Sequence, residues 1–142
     1  MKSFVRSFIF LIVSMSLLGC IGRPGPMVYE LWKKRGATHA DVRKALLECG
    51  ANNPFHDPEI ASYSEGTIYS HEWAKVELCM TYSGFNLNWL SSTYCDRDRK
   101  KNEIPACQTG NENLIPKRSA EVRLNSKFCK DPWYSRSPAC DP

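Results

Sequence analysis

Two stretches of this chain echo each other around pairs of cysteines. Tyr94-Cys95 is followed, after a charged stretch, by Pro105-Ala106-Cys107. Phe128-Cys129 is followed, after a nearly equal interval, by Pro138-Ala139-Cys140. Because the flanks and the interval both recur, each pair reads as one small disulfide loop, Cys95–Cys107 and Cys129–Cys140. Cysteine counting does not choose among the pairings of six thiols. Loop-closure entropy prefers near neighbours only weakly, so the echo is the main warrant. The polar, Asn-rich segment Gln108 to Pro116 then links the two loops.

The chain has seven cysteines, an odd number for an exported protein. The seventh explains the count. Lys2 and Arg6 form a positive start, and Phe8 to Leu18 is almost wholly apolar. That run is shorter than the roughly 20 residues a membrane span needs and has the length and flanks of a signal-peptide core. It ends in Leu17-Leu18-Gly19-Cys20. The four residues resemble the lipobox of bacterial lipoproteins. That resemblance implies a diacylglycerol on the Cys20 thiol, cleavage before Cys20 and acylation of the new amine. Each buried methylene contributes about 0.8 kcal/mol, so several chains hold where one is marginal. Ile21, rather than Asp, follows the cysteine, which resembles an outer-membrane address in a two-membrane bacterium. Which face of that membrane carries the protein stays open.

Cleavage removes Lys2 and Arg6 from 19 basic residues and leaves the 15 acids, a mature charge of about +2. That balance does not argue for nucleic acid, which an exported protein would seldom meet. Outside the reducing cytosol, Cys49, Cys79, Cys95, Cys107, Cys129 and Cys140 are expected as disulfides. Each contributes roughly 2–4 kcal/mol, a large share for a small core.

Ile21 to Pro26, with two prolines and two glycines, reads as a tether. Met27 to Trp32 is an apolar lead-in to Lys33-Lys34-Arg35. Close to the anchor these cations suit anionic headgroups, at about 1 kcal/mol each, although such runs are more often a solvated face. Thr38 and Asp41 form a capping box for a helix whose buried face is Val42, Ala45, Leu46 and Cys49. Gly50 ends it, and Asn52-Asn53-Pro54 and Asp57-Pro58 open a loop. Ser70 is expected to cap a second helix with Glu72 in its first turn. Trp73, Val76, Cys79 and Met80 share its face, and Gly84 ends it. Cys49 and Cys79 lie near the ends of these helices. An antiparallel pair would separate them and a steep crossing would join them; since both thiols face inward, we expect the bridge. From Asn86 onward helical periodicity fails, and Ala120 to Leu124 alternates weakly like a strand.

Sites of chemistry are hard to find. There is no Cys-x-x-Cys, and the histidines stand apart at 39, 56 and 71. His71-Glu72-Trp73-Ala74-Lys75 begins like a zinc-protease helix but has lysine where the second ligand must be. No Gly-x-Ser-x-Gly and no phosphate-cradling glycine loop occurs. A Cys–His nucleophile needs a free thiol, and six exported cysteines are expected to be oxidised. Asp96-Arg97-Asp98 reads as a solvated run. No cofactor, metal or catalytic group is expected, and the chain reads as non-enzymatic. Trp32 and Trp73 fall on the helical pattern and are expected in the core. Trp89 and Trp133 lie in loops and are the candidate contact residues, although covering a disulfide is the blander role.

Arg35-Gly36-Ala37-Thr38 through Val42, Leu46, Gly50 and Pro54 resembles the opening helix of the SmpA/BamE-type outer-membrane lipoproteins. That resemblance implies a second helix, then a three-stranded antiparallel sheet, and a part in envelope assembly. Leu46 to Gly50, Cys79-Met80 to Gly84-Phe85 and Pro105 to Cys107 resemble the small Cys-rich lipoproteins of Gram-negative bacteria, which implies a class and no activity.

The expected fold is small, disulfide-rich and mainly α: a helical hairpin followed by stapled loops, or alternatively α+β with a small antiparallel sheet. The expected organisation is a signal peptide (1–19), a lipidated tether (20–26), a helical hairpin region (27–85) and a Cys-rich loop region of the same domain (86–142). The expected role is an outer-membrane-anchored protein that binds another envelope protein through its domain and the membrane through its lipid. The alternatives are a BamE-like assembly accessory or a small inhibitor of an envelope enzyme.

Overall fold

The structure is a computed structural model that describes residues 27–55, 70–87, 94–97 and 101–142. The expected signal peptide, the expected lipidation site Cys20, the expected tether, His56 and Trp89 lie outside the described residues.

The chain enters through a single turn, α1 (Val28–Leu31), and a short strand, β1 (Trp32–Lys33). The helix α2 (His39–Glu48) follows. Its first turn is closed as the sequence predicts. The Thr38 hydroxyl accepts the Asp41 N–H at 3.2 Å, and Asp41 Oδ2 accepts the Thr38 N–H at 2.8 Å. These bonds satisfy backbone donors that a helix start leaves unpaired. The helix α3 (Ser70–Tyr82) begins at Ser70 itself, one residue earlier than a cap at that position would give.

Both helices stop in the same way. Gly50 and Gly84 take left-handed φ values of 95° and 81°. In α2 the Gly50 N–H donates to Leu47 and the Ala51 N–H to Leu46; in α3 the Gly84 N–H donates to Thr81 and the Phe85 N–H to Met80. This pair of bonds satisfies the last carbonyls of each helix. It also turns Ala51 and Phe85, both buried, back onto the core.

Val42, Ala45, Leu46 and Cys49 of α2 are buried, as are Trp73, Val76, Cys79 and Met80 of α3. Trp32 joins them, so both tryptophans expected in the core are there. Cys49 and Cys79 are bridged with a Cα–Cα distance of 5.7 Å. The bridge joins the helices C-terminal end to C-terminal end, which an antiparallel side-by-side pair would not allow. Strand β2 (Asn86–Leu87) pairs antiparallel with β1, Trp32 opposite Leu87. The ribbon thus ties the chain entering α2 to the chain leaving α3. The fold is mainly α with a small antiparallel sheet, and among the described residues β1 and β2 are its strands. The three-stranded sheet implied by the SmpA/BamE resemblance is not present among them.

The first echo follows as α4 (Tyr94–Arg97), then short 3-10 turns at Lys101–Glu103 and Pro105–Cys107. Cys95 is bridged to Cys107, and Ile104 fills the helix core. The expected link, Gln108 to Pro116, contains a further 3-10 turn, Glu112–Leu114.

The weak strand pattern at Ala120 to Leu124 is corrected by the structure: these residues form α5 (Ala120–Asn125), capped by the Ser119 hydroxyl. The reason is Arg123. Its side chain is buried, with Nε on Glu48 Oε1 at 3.1 Å and Nη1 on the Ala139 carbonyl at 2.9 Å and on the Asp141 carbonyl. Helical geometry aims Arg123 inward and leaves Val122 and Leu124 exposed.

Candidate functional site

The second echo builds the most exposed aromatic feature of the described chain. The Ser126 hydroxyl accepts the Cys129 N–H at 3.2 Å and starts α6 (Lys127–Lys130). Cys129 is bridged to Cys140, with Cα atoms 5.4 Å apart. All three expected disulfides are therefore present. Inside the last loop the chain is wound tightly. Asp131 Oδ1 accepts the Trp133 N–H at 2.8 Å, and the Asp131 carbonyl accepts the N–H groups of Tyr134 and Ser135 at 3.0 and 2.8 Å. Ser137 caps the closing turn Pro138–Cys140 through the Ala139 N–H at 3.3 Å. Trp133 stands at the tip with 90% of its surface exposed. Of the two candidate contact residues it is the one the structure describes.

What holds the loop was not evident from the cysteines. Phe128 is buried with Leu47, Ala139 and Cys140 on the second face of α2. Tyr134 stacks on Phe128 at 4.7 Å and 16°. From Phe128 the aromatic contacts continue to Phe55 at 5.8 Å and from Phe55 to Tyr29 at 5.5 Å. The Arg43 guanidinium lies over Tyr29 and Phe55, 5.1 and 5.5 Å from their centroids. Such contacts contribute roughly 0.5–1.5 kcal/mol per aromatic pair beyond area burial. The row joins the first turn of the domain to its last loop. Leu47 is the sequence's one hint, an apolar residue beside the main helix stripe.

A second feature lies beside Cys79. A cleft of about 380 Å³ is lined by Tyr82, Ser83, Glu112, Ile115, Pro116, Lys117 and Arg118, with Cys79 in its wall. Tyr82 is 70% exposed at its edge. Arg118 is fixed there by Glu48 Oε2, which accepts from Nε at 2.7 Å and lies 2.6 Å from Nη2. One carboxylate thus holds two guanidiniums. The lining combines the apolar groups of Ile115 and Pro116 with the charged side chains of Glu112, Lys117 and Arg118. The segment expected only to link two loops supplies Glu112, Ile115 and Pro116.

Lys34 of the basic run is already engaged: its Nζ donates to the Ser83 carbonyl at 2.8 Å and sits 5.1 Å from the Phe85 ring centroid. The Asp41 carboxyl is held below the usual range by its hydrogen bonds to the Thr38 hydroxyl and N–H. Among the described residues no three of His, Cys, Asp and Glu come together as a metal site would require. Nor is any described helix long and apolar enough to cross a membrane.

No protein family, curated protein or solved structure matches this chain.

Proposed function

We propose that the chain is a lipid-anchored, non-enzymatic protein of the bacterial outer membrane. Its disulfide-stapled domain engages another protein of the cell envelope. The observation that carries the reading is Leu17-Leu18-Gly19-Cys20 at the end of an apolar leader, followed by six cysteines closed into three bridges. A chain that meets an oxidising compartment and stays at a membrane needs both features. The cleft beside Tyr82 is the partner surface this reading favours. It is preformed, with Glu48, Arg118 and the Cys49–Cys79 bridge holding its walls, and a preformed surface loses little entropy on binding.

A photo-crosslinking amino acid at Tyr82 in the full, lipidated chain tests the reading in intact cells. The reading expects one discrete adduct that disappears when the crosslinker is moved to Glu121 on exposed α5. Lipidated protein without an adduct at Tyr82 would count against the cleft, and protein recovered without lipid would count against the anchor.

A further inference from the structure

We propose that the Cys129–Cys140 loop rests on the membrane that holds the anchor, with Trp133 seated among the headgroups of an anionic phospholipid surface. The proposal rests on the reading of Cys20 as the lipidated residue and adds an orientation to it.

Only the six residues Ile21 to Pro26 separate Cys20 from Met27, where the described domain begins. Fully extended, they reach about 20 Å. From Tyr29, two residues further on, contacts of 5.5, 5.8 and 4.7 Å lead through Phe55 and Phe128 to Tyr134. Placed end to end, those steps are shorter than the tether. The Tyr134 ring therefore lies within the tether's length of Tyr29, close to where the tether meets the domain.

An indole has an apolar body with one polar N–H and favours the boundary between headgroups and acyl chains. At 90% exposure in a wound loop, Trp133 reaches that layer with little further ordering. Lys127, Lys130 and Arg136 are all exposed around it. The acid inside the loop, Asp131, is half-buried and its carboxylate accepts the Trp133 N–H. Asp141 lies just outside the bridge. Between its bridged cysteines the loop carries two cations, Lys130 and Arg136, one acid, Asp131, and a projecting indole, with Lys127 and Asp141 flanking it, and its net positive charge complements negative headgroups. The Lys33–Arg35 run suits the role less, since Lys34 is held by Ser83 and Phe85.

The test uses the mature protein with its lipid, reconstituted in vesicles of phosphatidylcholine alone or mixed with phosphatidylglycerol. Emission of Trp133 is taken as the difference between wild type and Trp133→Phe. Flotation reports the anchor, and quenching of the difference spectrum by brominated lipid reports the loop. The proposal expects flotation in both vesicle types, with a blue shift and quenching of Trp133 in the mixed vesicles. Lys130→Gln and Arg136→Gln should each weaken the quenched state about 5-fold. Flotation with Trp133 still in water, or quenching that is the same in both lipids and in the glutamine variants, would overturn the loop and leave the anchor standing. Failure to float would overturn the anchor and, with it, this orientation.

Discussion

Arg123 donates from Nε to Glu48 Oε1 at 3.1 Å, across 75 residues of sequence. Arg123 is 3% exposed and Glu48 12% at their side chains. With the carbonyls of Ala139 and Asp141 as further acceptors, this one guanidinium ties α2, α5 and the C-terminal turn together.

Arg123→Ala should therefore act on two segments at once. It takes from Glu48 one of its two guanidiniums, leaving Arg118, and takes the same donor from two carbonyls; hydrogen bonds to a charged group contribute about 1.5–3 kcal/mol. Urea unfolding with the bridges intact should show that loss. Hydrogen exchange should show the protection of 138–142 falling further than that of α3.

The three bridges are unequal. Cys49–Cys79 spans 30 residues and both sulfurs are buried, whereas Cys95–Cys107 and Cys129–Cys140 span 12 and 11. Loop-closure entropy gives about 4 kcal/mol for the first and about 3 for each of the others. The paired change Cys49→Ala with Cys79→Ala should lower the thermal midpoint most, since it also leaves unfilled volume. Loss of Cys129–Cys140 should reach beyond its loop, because Cys140 and Phe128 cover Leu47 of α2. Calorimetry of the three paired variants ranks them, and an equal fall in all three would contradict the ranking.

The features legible from sequence are those whose determinants are local. Thr38 and Asp41 sit three residues apart and fix a helix start. Gly50 and Gly84 fix two ends, and the repeated Pro-Ala-Cys fixes two loops. Residues 120–125 were not legible as a helix for a physical reason. Val122 and Leu124 are exposed at 46% and 39% while Arg123 between them is buried, the inverse of an amphipathic pattern. The partner that settles the conformation, Glu48, lies in another helix. Ser119 was the available local signal, since its hydroxyl accepts the Val122 N–H. The cleft beside Tyr82 was hidden similarly, because Ile115 and Pro116 belong to a segment whose composition suggests only a link.

The capping box gives the fold a sensitivity to acid. The pKa of Asp41 is lowered in the folded chain, first by the Thr38 hydroxyl and then by the Thr38 N–H. A lowered folded pKa means a contribution that is full above the unfolded value of about 3.9 and is lost as pH falls through the folded one. Stability measured between neutral pH and strong acid should fall less steeply in Asp41→Asn than in wild type. Equal slopes would show that the Thr38–Asp41 bonds do not favour the charged carboxylate.

Gly50→Ala should destabilise although there is room for the methyl group. Nothing lies within 4 Å of the position a Cβ would take, so the penalty is in the backbone, held at φ 95°. A side chain in that region costs about 1 kcal/mol or slightly more. Denaturant midpoints of Gly50→Ala and Gly50→Asn should separate, with asparagine the milder of the two.

The most direct measurement of the whole account is the intact mass of the protein taken from the cells that make it, without reduction. The account predicts a chain that begins at Cys20, carries a diacylglycerol and an amide-linked acyl group, and lacks the six hydrogens of three closed bridges. A chain that begins elsewhere, carries no lipid or retains free thiols among Cys49, Cys79, Cys95, Cys107, Cys129 and Cys140 would contradict it.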